Sequence, residues 1–208
     1  MATVRTKVVY DVHPGVAMVQ KWVEELKSKT GRSLEEWIAA VKKGGPKEEK
    51  SRREWLKTTH KLPTNSAWWI AERAEGKGRD DSPEAYLKSA ARYVEEQYAG
   101  QREKLRPIFE ELLKLGRSMG EDVKVCPCKT IVPLYRRHVF AQIKPTTNSR
   151  IDFGFALTHY RGKLPKRVID TGGLAKKDRI THRVELTSAS EIDAEVKKWL
   201  KTAYDLDT

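Results

Sequence analysis

Between residues 19 and 115, apolar side chains recur every three or four positions, which is the spacing of amphipathic helices. The segments that show this spacing are centred on Trp22, Trp37, Trp55, Ala71, Tyr93 and Leu112. Local signals mark the helix ends, because Gly31 suits a C-terminus, Ser33 with Glu36 makes a capping box and Pro83 suits a first helical position. The pattern therefore predicts that the chain begins with a series of helices.

Beyond Gly120 the period changes from helical to alternating, as in strands with one buried face. The alternating groups are Val123 with Val125, Ile131 with Pro133 and Tyr135, Val139 with Ala141 and Ile143, Phe153 with Phe155 and Leu157, and the run Ile180 to Leu186. Short polar segments separate the first four runs at hairpin distances, which predicts an antiparallel meander. A last amphipathic helix, capped by Ser190 and carrying Trp199, is expected to cover the apolar face of this sheet.

These patterns predict an α+β fold, in which a small N-terminal helical domain is followed by an antiparallel β-meander flanked by helices. The best candidate for a linker is the polar, glycine-bearing segment from Gly76 to Asp81. We therefore predict a helical domain with an N-terminal leader at residues 1–76, a linker at 77–82, and an α+β domain with the antiparallel sheet at 83–208.

Composition favours a globular, well-solvated protein, since 38% of the residues are hydrophobic, 34% are charged and the mean hydropathy is -0.67. No apolar run approaches the roughly 20 residues that cross a bilayer. The leader carries Arg5 and Lys7 but lacks the apolar core and cleavage site of a secretory signal. We therefore expect a cytoplasmic protein without a membrane partner.

Cysteine usage argues against metal and redox chemistry. Cys126 and Cys128 are the only cysteines, and they are too close together for a useful disulfide framework and too few for a four-ligand zinc site. Their spacing also differs from Cys-x-x-Cys. We expect the two small side chains to pack beside the end of a strand, and we expect neither a metal site nor a cofactor.

The net charge of +12 is concentrated in one quarter of the chain. Residues 129–183 contain thirteen Lys or Arg and three Asp or Glu, whereas residues 1–128 contain 25 and 20 and residues 184–208 contain 3 and 6. Such a concentration is typical of a surface that binds an anionic partner, either nucleic acid or a small anionic ligand. The alternative is a solvated basic surface that serves solubility alone.

Eight polar residues lie in or beside the predicted strands: Lys129, Tyr135, Arg136, Lys144, Arg150, Asp152, His182 and Arg183. A folded meander would bring several of them to one patch that recognises phosphate or carboxylate, with Tyr135 and Phe140 available to stack on a base. The alternative is a set of cross-strand ion pairs, in which Asp152 neutralises Arg150 or Lys144.

Other possible functional motifs in the sequence are weaker. His182 with Asp152 could form a general base and its orienting carboxylate, although no nucleophile is evident. The sequence Asp122-Val123-Lys124 has only part of a metal-dependent nuclease motif, and the basic run from Gly172 to Lys177 lacks the order of a phosphate-binding loop. Residues 53–76 have the layout of a helix-turn-helix, but their acidic groups favour a packing role for Trp68 and Trp69. No catalytic residue is therefore assigned.

Two parts of the chain are similar to known families. The segments Lys29 to Trp37, Trp55 to Lys57 and Asn65 to Arg73 resemble a helical, bacterial domain of unknown function, family 4287. The second half resembles domain-of-unknown-function family 5655 in residues 127–130, 132–136, 138–145, 150–154 and 181–188. Neither resemblance implies an active site.

The sequence thus predicts a non-catalytic binding protein whose basic C-terminal domain engages an anionic partner. An enzyme that acts on a phosphorylated substrate is one alternative. A protein-interaction adaptor led by the tryptophan-rich N-terminal part is another. The oligomeric state stays open at this point.

Overall fold

A computed structural model describes residues 10–78 and 80–208. Most of the predicted leader, including Arg5 and Lys7, lies outside these residues, as does Arg79 of the predicted linker. The chain forms two compact units. We call residues 14–86 the helical unit, and residues 10–13 together with 87–208 the sheet unit. None of the helices in the described part of the chain is long and apolar enough to cross a membrane.

The helical unit contains α1 (Gly15–Thr30), α2 (Leu34–Gly44), α3 (Glu49–Thr58), α4 (Thr64–Ala74) and the start of α5 (Pro83–Gln97). The predicted end signals are present, since Gly31 has a left-handed φ of 79° and Ser33 and Glu36 form a reciprocal capping box. Helix α4 begins directly after Pro63, and no side chain caps its N-terminus.

The tryptophans of the helical unit are used mainly in packing. Trp37 is buried and donates its indole hydrogen to Thr30 Oγ1 at 2.8 Å. Trp22 donates to Ser66 Oγ at 3.0 Å, and its ring meets that of Trp69 edge to face, with centroids 4.8 Å apart. These contacts fit the packing role predicted for Trp69. Trp68 is instead 44% exposed, with the guanidinium of Arg53 over its ring, so the packing role predicted for Trp68 is wrong.

The sheet unit continues with the rest of α5, α6 (Arg106–Arg117) and α7 (Ala194–Leu206). Its strands are β1 (Lys124–Val125), β2 (Val132–Tyr135), β3 (Val139–Pro145), β4 (Ile151–Phe155), β5 (Ile169–Asp170) and β6 (His182–Leu186). They form one sheet in the order β1-β2-β3-β4-β6-β5, and all neighbours are antiparallel. The α+β class and the antiparallel meander of β1 to β4 are confirmed.

Three details differ from the prediction. The short strand β5 lies between the fourth predicted alternating run and the run Ile180 to Leu186, where no strand was predicted. Asp193, not Ser190, caps α7 by accepting hydrogen bonds from the backbone of Glu195 and Val196. In β2 the buried residues include Val132 and Leu134, whereas Ile131 and Tyr135 are only half-buried, so the predicted apolar phase of this strand is wrong.

A β-bulge explains why the apolar phase of β3 also departs from strict alternation. Tyr135 pairs with Val139 and Leu134 with Ala141, so Phe140 is an extra residue in its strand. Phe140 and Ala141 are both fully buried as a result. Val139, which the sequence grouped with the buried residues, instead lines a cleft on the opposite face.

The hydrophobic core lies on one face of the sheet, beneath α6 and α7. Its members include Phe109, Leu112 and Trp199 from the helices, and Ile143, Phe153 and Val184 from the strands. The other face carries polar side chains at alternate positions of β3, β4 and β6. We call this second surface the open face.

The predicted linker leads to a test by limited proteolysis. We expect trypsin or thermolysin to cut the full chain first within residues 76–81, because this segment is polar, contains two glycines and separates stretches with independent apolar stripes. Mass spectrometry of the first stable fragments provides the measurement. Fragments that begin instead within α5 or the sheet would place the boundary elsewhere.

Candidate functional site

Strand pairing brings several loops to one end of the sheet. Ala141 near the start of β3 pairs with Phe155 at the end of β4, and Phe155 pairs with His182 at the start of β6. Strand β5 ends beside the same residue, since Asp170 pairs with His182. We call this the loop end. Two connections, residues 156–168 and 171–181, begin or finish there, and we call them the basic loops.

The eight predicted residues do not form one patch. Lys144, Asp152 and Arg183 line one cleft on the open face, and Arg150 joins them through ion pairs. The others lie elsewhere: Tyr135 and Arg136 where β2 reaches the loop end, His182 at the start of β6 and Lys129 in the connection before β2.

The cleft on the open face has a volume of about 690 Å³. We call it the open-face cleft. Gln142 and Lys144 of β3, Gly154 of β4 and Arg183 of β6 contribute to its floor, and residues 178–180 of a basic loop form a wall. A Cβ atom on Gly154 would lie only 2.6 Å from Ile180 Cγ2. The missing side chain at residue 154 therefore lets the loop approach the sheet.

Two arginines and two carboxylates neutralise each other at one side of this cleft. Arg150 Nε lies 2.9 Å from Asp152 Oδ1, and Arg183 Nη1 lies 2.6 Å from Asp152 Oδ2. Both guanidinium groups also contact Glu185 Oε1, at 3.0 and 2.9 Å. The alternative in which Asp152 neutralises Arg150 is therefore the observed arrangement, whereas Lys144 has no ion pair among the described residues.

Arg136 is held by structural contacts. Its Nε donates to Asp122 Oδ2 at 2.8 Å, and its guanidinium lies 4.4 Å from the ring centroid of Tyr204. The hydroxyl of Tyr204 donates to Asp122 Oδ1 at 2.7 Å. Hydrogen bonds from Tyr204 and Arg136 lower the pKa of Asp122. Both oxygens of this carboxylate are occupied, which argues against the nuclease-like interpretation of residues 122–124.

Neither of the two aromatic side chains expected to stack on a base is fully exposed. Phe140 is 0% exposed and packs edge to face against Tyr204, so its predicted stacking role is wrong. Tyr135 is half-buried, and its hydroxyl is hydrogen-bonded to His13 Nε2 at 2.9 Å. Burial raises the pKa of Tyr135 to about 12, so the phenol is neutral at physiological pH.

His182 and Asp152 do not form a general-base pair. The closest polar contact of the imidazole is with Thr181, whose Oγ1 lies 2.9 Å from His182 Nδ1. Asp152 pairs in register with Glu185, whereas His182 pairs with Phe155. The carboxylate is instead engaged by its two arginines.

Both cysteines are free thiols. Burial raises the pKa of Cys126 to about 12, and it also raises the pKa of Cys128. Since the thiolate is the reactive form, neither residue is activated as a nucleophile at neutral pH. Within residues 10–78 and 80–208, no three His, Cys, Asp or Glu side chains are grouped so that they could hold a metal ion.

The arginines and lysines of residues 129–183 differ in whether they form ion pairs, and this difference was not predicted from the sequence. Five arginines of residues 129–183 form ion pairs: Arg136, Arg150, Arg167, Arg179 and Arg183. The six lysines of the same segment are exposed and have no ion pair within the described chain: Lys129, Lys144, Lys163, Lys166, Lys176 and Lys177. Four of these lysines lie in the basic loops. The only sequence signal for them was the excess of basic over acidic residues in the segment.

Comparisons with known protein families match two separate segments of the chain. A family model described as a domain of unknown function (DUF4287) matches residues 18–75, and a second one, also described as a domain of unknown function (DUF5655), matches residues 94–207. The resemblance of both parts is thereby confirmed. No curated protein and no solved structure matches the chain. Because the second match covers more than half of the sequence, the chain belongs to the DUF5655 family.

Proposed function

We propose that the sheet unit is a non-catalytic binding domain that engages nucleic acid through its phosphates. The observation that carries this proposal is the set of exposed lysines without ion pairs in the basic loops: Lys163, Lys166, Lys176 and Lys177. An ammonium group without a protein counterion is surrounded by water and mobile ions, and a phosphate can replace these without breaking an intramolecular contact.

The topology concentrates this charge. Residues 156–181 contain seven Lys or Arg and two Asp. Arg167 and Arg179 are ion-paired with residues outside this range, which leaves the four lysines and Arg161 as uncommitted cations among the described residues of the loops. Since both loops meet the loop end of the sheet, their potentials add there and would attract a polyanion.

The geometry favours contacts to the phosphate backbone over contacts to bases. Phe140 is buried and Tyr135 is hydrogen-bonded to His13, so the stacking platform typical of single-strand binding is missing at the positions where we expected it. Phosphate contacts position a protein without specifying sequence. We therefore expect weak sequence preference and binding to both single-stranded and double-stranded nucleic acid.

Three observations support a role without catalysis. Asp122 is engaged by Arg136 and Tyr204, and Asp152 is engaged by two arginines. The cysteine thiols have raised pKa values. The acidic and nucleophilic groups that the sequence singled out thus serve as structural partners.

The test is fluorescence anisotropy of the full chain with labelled single-stranded and double-stranded DNA and RNA over a series of salt concentrations. We expect log K to fall linearly with log salt, with a slope steepened by roughly 0.7 to 0.9 for each neutralised phosphate. Absence of binding at about 50 mM salt, where screening is weak, would reject the proposal. Metal-dependent cleavage of the labelled strands would favour the enzyme alternative, and a co-purifying protein without nucleic-acid binding would favour the adaptor.

A further inference from the structure

We propose that the open-face cleft is a separate site for a small molecule that carries one anionic group, a phosphate or a carboxylate, beside a polar group that an amide can recognise. The proposal does not rest on nucleic-acid binding, because Lys144 and Gln142 of β3 carry it and neither belongs to the basic loops. The volume of the open-face cleft, about 690 Å³, lies within the range of roughly 300 to 1,000 Å³ that is usual for ligand sites.

Lys144 is the group that would bind the anion. It is exposed, lines the cleft and lies directly opposite Asp152 in the register of β3 and β4. That carboxylate is already bound by Arg150 and Arg183, which leaves Lys144 without an ion pair among the described residues. A ligand phosphate or carboxylate would supply the missing counter-charge. Because both arginines are engaged, the anion is bound by a point charge rather than by a bidentate guanidinium.

Gln142 is the group that would recognise the polar part of the ligand. It lies two residues before Lys144 on the same face, a separation of about 7 Å along a strand. Its side chain is half-buried, and its amide has no hydrogen-bond partner in the described protein. Its amide is not among the buried polar atoms that lack a hydrogen-bond partner, so water reaches it. A ligand with a donor or an acceptor at this distance from its anionic group can replace that water without breaking an intramolecular hydrogen bond.

Apolar groups and carboxylates at the other end of the cleft limit the ligand further. Val139 and Ile180 provide apolar surface beyond Gln142. Arg179 donates to the backbone oxygen of Val139 at the start of β3, and its neighbour Asp178 also lines the cleft, whereas Lys144 lies near the end of that strand. Asp178 would repel a second anionic group there. The site therefore suits a ligand with charge at one end and excludes an extended polyanion.

The test is a titration of the full-length, ¹⁵N-labelled protein by two-dimensional NMR. The probes are adenosine monophosphate for the phosphate source, N-acetylglycine for the carboxylate source and uncharged adenosine as the control. We expect saturable shifts of the backbone amides of Gln142, Lys144, Gly154 and Arg183 with at least one charged probe, and much smaller shifts with adenosine. No saturable shift of these amides at about 10 mM of either charged probe, where even weak millimolar binding would register, would overturn the proposal.

Variants connect the shifts to the two side chains. Lys144→Ala and Gln142→Ala should each weaken binding of the active probe by about tenfold, as expected for loss of one good polar contact. Lys129→Ala is the matched control, because it removes an exposed lysine outside the cleft and should leave the affinity unchanged. Equal weakening by all three variants, or shifts confined to the parts of the basic loops outside residues 178–180, would overturn the cleft site. Loss of nucleic-acid binding with intact cleft binding would reject only the function proposed above.

Discussion

Replacing Asp207 with alanine is expected to lower the free energy of unfolding of the sheet unit by about 2 to 3 kcal/mol. The Asp207 side chain is only 2% exposed. It accepts hydrogen bonds from the backbone nitrogen of His138 at 2.8 Å and from Arg179 Nη2 at 2.8 Å, and it lies 3.1 Å from His138 Nδ1. The substitution would remove the one carboxylate that joins the end of α7 to the turn before β3 and to a basic loop. Chemical denaturation followed by circular dichroism measures the change.

Asp205→Ala is the matched control for this prediction. Asp205 is an exposed aspartate two residues earlier that pairs with Lys201 one helical turn away. Its removal changes the net charge by the same amount but should cost less than about 0.5 kcal/mol, as is usual for an exposed ion pair. Similar stability of the two variants would show that the contacts of Asp207 do not contribute to the fold in the way we infer.

The second large effect is expected on nucleic-acid affinity when the lysines of the basic loops are reversed. The variant Lys163→Glu, Lys166→Glu, Lys176→Glu should bind roughly 100-fold more weakly at about 0.1 M salt, and its log-log salt slope should be flatter by about 2 to 3. Each substitution removes a lysine that would neutralise one phosphate and so release one counterion condensed on the nucleic acid. Anisotropy at several salt concentrations measures both quantities. Thermal stability should change little, because none of the three lysines has an ion pair in the described chain.

The control carries three reversals outside the loops, Lys104→Glu, Lys114→Glu and Lys197→Glu. These lysines are also exposed and also lack ion pairs within the described residues. Because each variant carries three Lys→Glu substitutions, the two variants have the same net charge. Retained affinity in the control would locate the interaction in the basic loops. An equal loss in both variants would mean that net charge alone drives binding. Reversal of Arg136 or Arg150 is a poor test, since each would place a carboxylate against an existing acidic partner.

The periodic parts of the fold could be predicted from the sequence, but the phase of the central strands could not. Helical spacing, Gly31 and the Ser33–Glu36 box are local signals, and the structure confirms each of them. The bulge at Phe140 depends on how β3 pairs with β2, which is not encoded within either strand. A two-residue strand such as β5 is too short to produce a pattern.

The contacts of the candidate site were even harder to predict from the sequence. The sequence indicates where the basic residues are, but their partners come from distant segments: Arg167 pairs with Asp193, and Arg179 pairs with Asp207. The division between committed arginines and uncommitted lysines is therefore a property of the folded chain. Gln142 could not be identified as a candidate binding residue from the sequence, because only the folded structure shows that its amide has no hydrogen-bond partner within the protein.

The loop at residues 171–181 contributes to both proposed sites. It carries Lys176 and Lys177, and its residues 178–180 form a wall of the open-face cleft. If a ligand in the cleft shifts this wall, it also changes how the two lysines are presented, and a polyanion bound to the lysines would shift the wall in turn. By thermodynamic linkage, each ligand must then alter the affinity of the other by the same factor. A small metabolite could in this way regulate how strongly the protein holds a nucleic acid, with one short segment coupling the two.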